Sequence, residues 1–369
     1  MSPSRSFEID PDIRRAATLP GWVYRDPGVH AAARERVFAP SWQFVGSVDR
    51  VKVPGQVWPM TLLEGMLEEP LLVTRDRDDR LHCLSNVCTH RGTLLCEADG
   101  AAVGGNHLRC RYHGRRFGLD GRMISMPGFE AAVEFPSARD DLARVPMSVW
   151  EKLVFVSLDP ASSLEEVLRP VRERCGWIPI ASAAFDPARS REYLVNANWA
   201  LYVDNYLEGF HIPYVHAGLA QAIDCNSYRT ECFDWCNLQL GAAADGEEAF
   251  TPPPGSPDHG KRVAAYYWWV YPNTMLNLYP WGLSVNVVRP LAVDRTKVSF
   301  LSYVWDPSKL DRGAGASLDR VEREDEVIVE SVQRGVRGRL YDRGRYSPTC
   351  EQGVHHFHRL LAQALTGGS

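Results

Sequence analysis

The most constraining feature of this 369-residue sequence is a pair of short loops, each with one cysteine, one histidine and one glycine. The first reads CTHRG and contains Cys88 and His90, and the second reads CRYHG and contains Cys110 and His113. Nineteen residues separate His90 from Cys110. Thiolates and imidazoles paired in this way can bind either a tetrahedral zinc ion or an iron–sulfur cluster. The sequence therefore predicts a metal centre at these two loops.

The distribution of the candidate ligands favours the cluster over zinc. Zinc ribbons and fingers usually pair cysteine with cysteine and histidine with histidine, whereas each loop here provides one of each. Two cysteines on one iron and two histidines on the other is the arrangement of a Rieske [2Fe–2S] centre. Gly92 and Gly114 permit the tight backbone approach that a cluster needs. From Trp42 to about residue 158 the sequence closely resembles the Rieske iron–sulfur family.

The sequence around the two loops consists of short apolar runs, such as WQFVGSV, PLLVTRD and LVFVSLD, bounded by Gly, Pro or Asp. This pattern is typical of a small all-β domain. Later segments alternate helical and strand patterns, so the fold class expected for the whole chain is α+β. We expect an N-terminal segment at 1–40 that packs on the catalytic domain, a Rieske [2Fe–2S] domain at 41–160, and a mononuclear iron domain at 161–369. The third is expected to be helix-grip-like, with an antiparallel sheet and helices.

A second candidate metal site lies in the stretch NWALYVDNYLEGFHIPYVH. Asp204, Glu208 and His211 follow at spacings of four and three, which predicts that they share one face of a helix. Pro213 is expected to end that helix, so that His216 can turn back toward His211. Two histidines at this spacing are part of a 2-His-1-carboxylate site for non-haem iron. Taken alone, such a match also fits a solvated helix face.

The missing carboxylate is expected on a helix predicted for residues 316–337. Apolar residues recur there at three- and four-residue spacing and predict a buried stripe: Leu318, Val321, Ile328 and Val332. Asp325 falls on that stripe, and a buried acid is costly unless a metal or a partner neutralises it. Glu322, Glu324 and Glu326 lie off the stripe and are expected to be solvated.

The stretch around His211 and His216 looks like the mononuclear iron motif of the Rieske non-haem iron oxygenases. That resemblance implies a catalytic (alpha) subunit in which His211, His216 and Asp325 bind iron. It also implies that Glu208 hydrogen-bonds an iron-ligand histidine and a Rieske histidine of a neighbouring subunit.

The expected partner of Glu208 across that interface is His113, with His90 as the alternative. Asp204 is expected either to orient His211 or His216 from outside the ligand set or to be a simple surface acid.

The same resemblance implies the cofactors and partners. These are a Rieske [2Fe–2S] cluster, mononuclear Fe(II), O₂ as co-substrate and a small-molecule substrate that is hydroxylated or oxidatively demethylated. The sequence contains no G-x-G-x-x-G fingerprint, so a separate NAD(P)H-dependent reductase is expected to deliver the electrons. A bridge through Glu208 implies a homotrimer or a multiple of it.

The substrate is suggested by aromatic residues on predicted strands, of which at least half are expected to pack in the core: Tyr266, Tyr267, Trp268, Trp269, Tyr271, Tyr279 and Trp281. Such rings can cage a quaternary ammonium group or stack on a flat aromatic substrate. Glutamate at position 208 and the segment YPNTMLNLYPWG resemble the choline, carnitine and glycine betaine oxygenase branch. Oxygenation of an aromatic ring or an aromatic acid is the alternative.

Charge and composition exclude other classes. The net charge is −5 and no long basic run occurs, so neither nucleic acid nor an anionic membrane is an expected partner. The N-terminus lacks the apolar core of a secretory signal, and the nine cysteines follow no regular framework, so a cytoplasmic protein with free thiols is expected. Two other classes remain open at this point: a Rieske electron-transfer protein without catalytic iron, and a structural zinc protein.

Overall fold

The computed structural model describes residues 7–98, 100, 101, 106–216, 218, 228–316 and 318–367. The chain divides into two compact units. One is Ala39–Ala161, and the other combines Met1–Phe38 with Ser162–Ser369. Within the described ranges, no helix has the length and apolar character that a membrane crossing requires.

The Ala39–Ala161 unit is a set of three antiparallel sheets, with strand orders β1–β10–β9, β4–β3–β2–β5 and β6–β7–β8. The strands are β1 (Gln43–Ser47), β2 (Gln56–Leu62), β3 (Glu69–Arg75), β4 (Leu81–Ser85), β5 (Gly100–Ala101), β6 (His107–Arg109), β7 (Arg116–Gly118), β8 (Met123–Ser125), β9 (Met147–Trp150) and β10 (Leu153–Val156). All four residues of β10 are buried, which explains why its sequence, LVFV, is a continuous apolar run. The prediction of a small all-β domain is confirmed.

The two cysteine–histidine loops extend from neighbouring parts of this unit. CTHRG follows β4, and CRYHG connects β6 to β7 in an antiparallel hairpin. Cys88 and Cys110 belong to one apolar cluster with Leu84, Leu108 and Phe117. The bases of both loops are therefore fixed by the core of the unit.

The other unit is built on a seven-stranded antiparallel sheet with the order β11–β17–β16–β15–β14–β13–β12. Its strands are β11 (Ala184–Val195), β12 (Arg229–Cys232), β13 (Cys236–Ala242), β14 (Val263–Val270), β15 (Thr274–Tyr279), β16 (Gly282–Ala292) and β17 (Arg295–Val304). Its helices are α1 (Pro27–Ala33), α2 (Leu164–Cys175), α3 (Trp199–Tyr206), α4 (Ile212–Val215), α5 (Leu318–Gly335) and α6 (Gln352–Thr366). The expected α+β fold with an antiparallel sheet is confirmed.

Helix α2 shows how the local sequence sets an element. Ser163 and Glu166 form a reciprocal capping box, in which the Ser163 hydroxyl accepts the Glu166 N–H at 3.2 Å and the Glu166 carboxylate accepts the Ser163 N–H at 2.9 Å. The residues that α2 buries recur at helical spacing: Leu164, Val167, Leu168, Val171 and Cys175. The cap and the apolar stripe together place α2 on the sheet, against β13 and β14.

Helix α3 differs from the sequence prediction. The helix predicted to contain Asp204, Glu208 and His211 ends at Tyr206, and Leu207 caps it with an N–H that points back to the carbonyls of Val203 and Asp204. Pro213 does not end a helix but lies in the first turn of α4, where a proline is tolerated because that N–H has no helical partner. Asp204, Glu208 and His211 therefore do not share a single helix face.

Helix α5 confirms half of its predicted apolar stripe. Leu318, Val321 and Asp325 line a cavity of this unit, whereas Ile328 and Val332 are 38% and 42% exposed. The buried positions of α5 are Glu322, Val329 and Gln333. The expectation that Glu322 is solvated is wrong, since it is only 2% exposed, and Glu324 and Glu326 are half-buried.

An ion-pair cluster around the buried carboxylate of Asp258 ties α2 to the sheet and to the loop before β14. Arg174 donates to both carboxylate oxygens of Asp258 and, at 2.9 and 3.1 Å, to both oxygens of Glu231. Lys261 reaches Asp258 at 2.9 Å. The Asp258 side chain is fully buried, so its charge depends on these two cations.

Replacing Arg174 by methionine is expected to lower the free energy of unfolding by about 3–5 kcal/mol, because it leaves Asp258 buried with only one cation. The measurement is the midpoint of denaturant unfolding, followed by circular dichroism. Arg172→Met in the same helix is the matched control, because its ion pair with Glu165 is exposed and worth about 0–1 kcal/mol. Equal midpoints for the two variants would contradict the role given to the cluster.

Candidate active site

The two cysteine–histidine loops have the same backbone design. In each loop a glycine four residues after the cysteine donates its N–H to the cysteine carbonyl at 3.0 Å, Gly92 to Cys88 and Gly114 to Cys110. Both glycines have positive φ, 73° and 76°, a conformation that strains other residues. The turn in each loop therefore requires glycine at positions 92 and 114.

The cysteines lie at the base of these loops and the histidines toward the surface. Cys88 and Cys110 are each 2% exposed, His90 is half-buried and His113 is exposed. The imidazole rings of His90 and His113 lie edge to face, with centroids 4.8 Å apart and planes at 69°. The buried sulfurs and outward imidazoles fit a cluster with one cysteine-bound and one histidine-bound iron.

Backbone N–H groups reinforce this fit. Burial raises the pKa of Cys88, while the N–H groups of His90 and Arg91 act in the opposite direction. At Cys110 burial also disfavours the thiolate, but hydrogen bonds from the N–H groups of Tyr112 and His113, together with the side chains of Cys88 and Thr93, lower the pKa. Donors aimed at both sulfurs suit thiolate ligands of a metal cluster.

In the other unit, Glu208 fixes the orientation of His211. One Glu208 carboxylate oxygen is 2.6 Å from His211 Nδ1, and the other accepts the backbone N–H of His211 at 3.0 Å. The break after α3 makes this possible, because both residues lie in the short connection to α4. Gly209 in that connection packs so closely on the Tyr228 ring that a Cβ would lie 2.6 Å from it. A proton held on Nδ1 leaves Nε2 as a free lone pair.

His216, the C-cap of α4, is oriented in the same way from α5. Its Nδ1 is 2.7 Å from a Glu324 carboxylate oxygen, and its side chain is only 1% exposed. The hydrogen bond to His216 is the main reason that the pKa of Glu324 is lowered. The sequence predicts that Glu324 is solvated, whereas in the structure its carboxylate orients the imidazole of His216.

Asp325 completes a small triangle of donor atoms. Its Oδ1 is 3.0 Å from His216 Nε2 and 3.5 Å from His211 Nε2, and the two Nε2 atoms are 3.2 Å apart. Asn205 of α3 donates to the same Oδ1 at 2.7 Å. Three ligands at right angles and about 2.1 Å from one ion lie about 3 Å apart, so these side chains fit a mononuclear metal. Two imidazoles and one carboxylate are the donor set of non-haem iron(II) sites.

The structure places Asp204 away from this triangle. Its carboxylate accepts a hydrogen bond from Tyr24 at 2.8 Å and lies 2.7 Å from His358 Nε2. His358 is in turn 2.7 Å from the hydroxyl of Tyr346 through Nδ1. The expectation that Asp204 orients His211 or His216 is therefore not met, because the hydrogen-bond partners of Asp204 among the described residues belong to the N-terminal segment and α6.

A cavity of about 100 Å³ opens beside the triangle. Its walls come mainly from α3, α5 and the sheet, and the polar side chains that the sheet contributes are amides and tyrosines. Apart from the triangle, the described residues that line it include Tyr202, Tyr206, Tyr228, Tyr267, Tyr279, Phe300, Gln239, Asn277 and Asn286. Of the seven predicted wall aromatics, only Tyr267 and Tyr279 line the cavity, while Tyr266, Trp268 and Trp269 are fully buried in the core. On β14 only Tyr267 faces the cavity, so most aromatic side chains of this strand pack in the core.

Glu322 is the other acid of this cavity. It lies one turn before Asp325 on α5, is 2% exposed and accepts a hydrogen bond from the Tyr202 hydroxyl. Burial raises the pKa of Glu322 to about 8, and the nearby Asp325 acts in the same direction. It is therefore a carboxyl group whose ionisation depends on what enters the cavity.

Sequence reasoning missed three contributors to the site: Asn205, Glu322 and Glu324. Their partners lie more than a hundred residues away in the sequence, at Asp325, Tyr202 and His216. Periodicity within one segment carries no information about such pairs. The only available signal was the adjacency of Glu324 to the candidate ligand Asp325.

Comparisons with known proteins identify the chain's relatives. Residues 182–367 match the family "Ring hydroxylating alpha subunit (catalytic domain)", and residues 41–137 match the "Rieske [2Fe-2S] domain". Chloroplastic choline monooxygenase of Arabidopsis thaliana is 34% identical, with 97% of this chain and 86% of the relative aligned. The carnitine monooxygenase oxygenase subunit of Escherichia coli K12 is 30% identical, with 95% of each chain aligned.

Solved structures share the fold. A quaternary ammonium Rieske monooxygenase, described in connection with carnitine oxidation by gut microbiota and inter-subunit electron transfer, superposes with a TM-score of 0.77. That comparison covers 98% of this chain and all of the other at 24% identity. The chain belongs to the ring-hydroxylating alpha-subunit family, the terminal Rieske oxygenases that use O₂, a [2Fe–2S] cluster and a mononuclear non-haem iron to oxidise small molecules.

Proposed function

We propose that this terminal oxygenase hydroxylates or oxidatively demethylates a small quaternary ammonium compound. The observation that carries the proposal is the cavity, in which tyrosine rings and carboxyl groups surround the His211–His216–Asp325 triangle. The relatives named for choline and carnitine oxidation, aligned over 95–97% of this chain, support the same substrate class.

The chemistry of a quaternary ammonium group explains why such walls suit it. The group has a full positive charge but no N–H, so it cannot be recognised by hydrogen-bond acceptors in the usual way. Aromatic faces attract it through the ring quadrupole, by about 0.5–2 kcal/mol for each well-placed ring. Tyr206, Tyr267 and Tyr279 present their rings on the cavity wall, and burial raises the pKa of all three hydroxyls, which therefore stay neutral.

The proposal assigns the metal ligands residue by residue. Cys88 and Cys110 would hold one iron of the Rieske cluster, and His90 and His113 the other.

His211, His216 and Asp325 would hold the mononuclear iron. Bound there, iron supplies open positions for O₂ beside the substrate, while the cluster supplies electrons one at a time. The protein's own part is to keep both imidazoles in the Nε2-binding tautomer through Glu208 and Glu324.

Electron delivery is proposed to occur between subunits of a trimer, or of a multiple of it, with a separate NAD(P)H-dependent reductase as donor. Glu208 would connect His211 to His113 of the neighbouring subunit. Exposed aromatic side chains next to His113 and next to His211 support contact with another protein chain. Tyr112 is 60%, Phe210 is 50% and Tyr214 is 81% exposed.

The substrate class can be tested without the reductase. Fully iron-loaded protein is reduced chemically, mixed with O₂ and one compound, and its single-turnover products are identified by mass spectrometry. We expect oxidised product from choline, L-carnitine or glycine betaine, and none from benzoate, because the cavity offers a cation site and no cationic group for an aromatic acid among the described residues. Product from benzoate alone would favour oxygenation of aromatic acids instead.

The iron assignment predicts three irons and two acid-labile sulfides per chain after anaerobic purification. Asp325→Ala is expected to bind two irons and keep both sulfides and the visible cluster spectrum, because it removes one of three ligands of the mononuclear site. Asp319→Ala on the same helix is the control, since Asp319 binds Tyr193 outside the triangle. Three irons in Asp325→Ala would place the third ligand elsewhere, and two irons in fully loaded unaltered protein would leave only an electron carrier.

The role of Glu208 predicts that Glu208→Gln keeps the cluster spectrum but oxidises its reduced cluster at least tenfold more slowly when substrate and O₂ are added. The reason is that the glutamine amide cannot accept from His211 Nδ1 and a second imidazole as a carboxylate does. The measurement is stopped-flow absorbance of the cluster, with iron content determined on the same sample. An unchanged rate would remove Glu208 from the electron path.

Mixed oligomers separate a bridge between subunits from one within a chain. Alone, Glu208→Gln chains are expected to turn over at least tenfold more slowly than the unaltered enzyme, and His113→Ala chains to be inactive. Co-assembled, they should regain turnover, because Glu208 of one chain then lies beside His113 of the other. Activity that stays absent in verified mixed oligomers would contradict an inter-subunit bridge.

A further inference from the structure

Glu322 is a buried acid in the cavity that the metal assignment does not use. Its side chain is only 2% exposed, and the Tyr202 hydroxyl donates to Oε2. Oε1 has no hydrogen-bond partner among the residues that the structure describes. The donor atoms that converge on one another belong to His211, His216 and Asp325. Glu322 thus offers a polar atom inside the cavity that the described side chains leave unmatched.

Leaving a buried carboxyl oxygen unmatched is costly unless something else compensates it. The charged neighbours on its own helix do not help, since Asp325 and Glu326 disfavour its ionised form and only Arg323 favours it. Across the cavity, α3 contributes the neutral Tyr202 and Asn205. A cation in the cavity would supply the missing charge, because an opposite charge a few ångströms away stabilises a buried carboxylate.

The other described side chains that line the cavity narrow the choice of cation. Apart from the two histidines, these side chains include no basic residue, neither lysine nor arginine. Three of them are acids, namely Glu208, Glu322 and Asp325. Among these side chains a substrate carboxylate would meet acids and no lysine or arginine, and like charges brought together cost several kcal/mol. A substrate that is only a cation meets no such penalty.

We propose that Glu322 is an anionic subsite that binds the ammonium group of the substrate, and that it selects quaternary ammonium alcohols or amines over carboxylated, zwitterionic ones. This inference rests on the proposed function and refines its substrate class. Glu322 lies three residues before Asp325, about 4.5 Å along the helix axis. A cation held there keeps a carbon one or two bonds from the nitrogen close to the His211–His216–Asp325 triangle.

The first test uses the unaltered, iron-loaded enzyme and three probes: choline, L-carnitine and 3,3-dimethyl-1-butanol, in which a carbon replaces the choline nitrogen. Dissociation constants are measured by calorimetry under anaerobic conditions. Choline is expected to bind at least tenfold more tightly than either of the others, because only choline has a positive charge without a carboxylate. Carnitine binding as tightly as choline would overturn the inference, and so would equal affinity for the neutral alcohol.

The second test assigns that selectivity to Glu322. Glu322→Gln keeps the size of the side chain and an acceptor for Tyr202 but has no charge. It is expected to lose at least tenfold in affinity for choline and less than twofold for the neutral alcohol. Glu326→Gln, one turn along the same helix and outside the cavity lining, is the matched control and should bind both as the unaltered enzyme does.

Iron content and the cluster spectrum of each variant show whether it is correctly folded, and the comparison of probes on the unaltered enzyme requires no variant. Choline oxidation with unchanged affinity in Glu322→Gln would overturn the subsite and leave the proposed function intact. If no quaternary ammonium compound binds or is oxidised, both the proposed function and the subsite fail.

Discussion

The catalytic unit depends on one constraint: two imidazoles must present Nε2 to the same point as a carboxylate. A free imidazole has two tautomers and a rotatable ring, so convergence has to be enforced from the other side of each ring. Glu208 does this for His211 at 2.6 Å, and Glu324 does it for His216 at 2.7 Å. The hydrogen bonds on Nδ1 determine which nitrogen faces the cavity, so these two acids define the site as much as the donor atoms do.

This constraint explains the unusual backbone around Glu208. A continuous helix from α3 through His211 would place Glu208 and His211 side by side on its surface, one turn apart. Ending α3 at Tyr206 lets the Glu208 carboxylate accept both the His211 N–H and its Nδ1 proton. The acid thereby satisfies a backbone donor at the start of α4 while it orients the ring. The interruption of the helix is therefore part of the site.

The amount that the sequence could predict depended on the range of the interactions. The cysteine–histidine loops could be predicted because their cysteine, histidine and glycine lie within five residues of one another. The glycine N–H of each turn hydrogen-bonds the carbonyl of the cysteine in the same loop. His211 and His216 were readable for the same reason. Asp325 was chosen because it lies on the predicted apolar stripe of α5. Only the first half of that stripe faces the cavity, so the choice rested on a partly wrong premise. The acids at 322 and 324 could not be assigned, because a charged residue predicts exposure until its distant partner is known.

Helices α3 and α5 show how those distant partners are brought together. Tyr202 binds Glu322 and Asn205 binds Asp325, so both hydrogen bonds join residues 120 positions apart and lie three residues apart on each helix. Because both hydrogen bonds join residues with the same separation in sequence, the two helices must run in the same direction in this region and keep a fixed register. A slip of one residue would rotate every side chain of α5 by about 100° and break both bonds at once. The register that holds the candidate iron ligand Asp325 in place is thus the same register that turns Glu322 into the cavity, so metal binding and substrate recognition are coupled through a single helix pair.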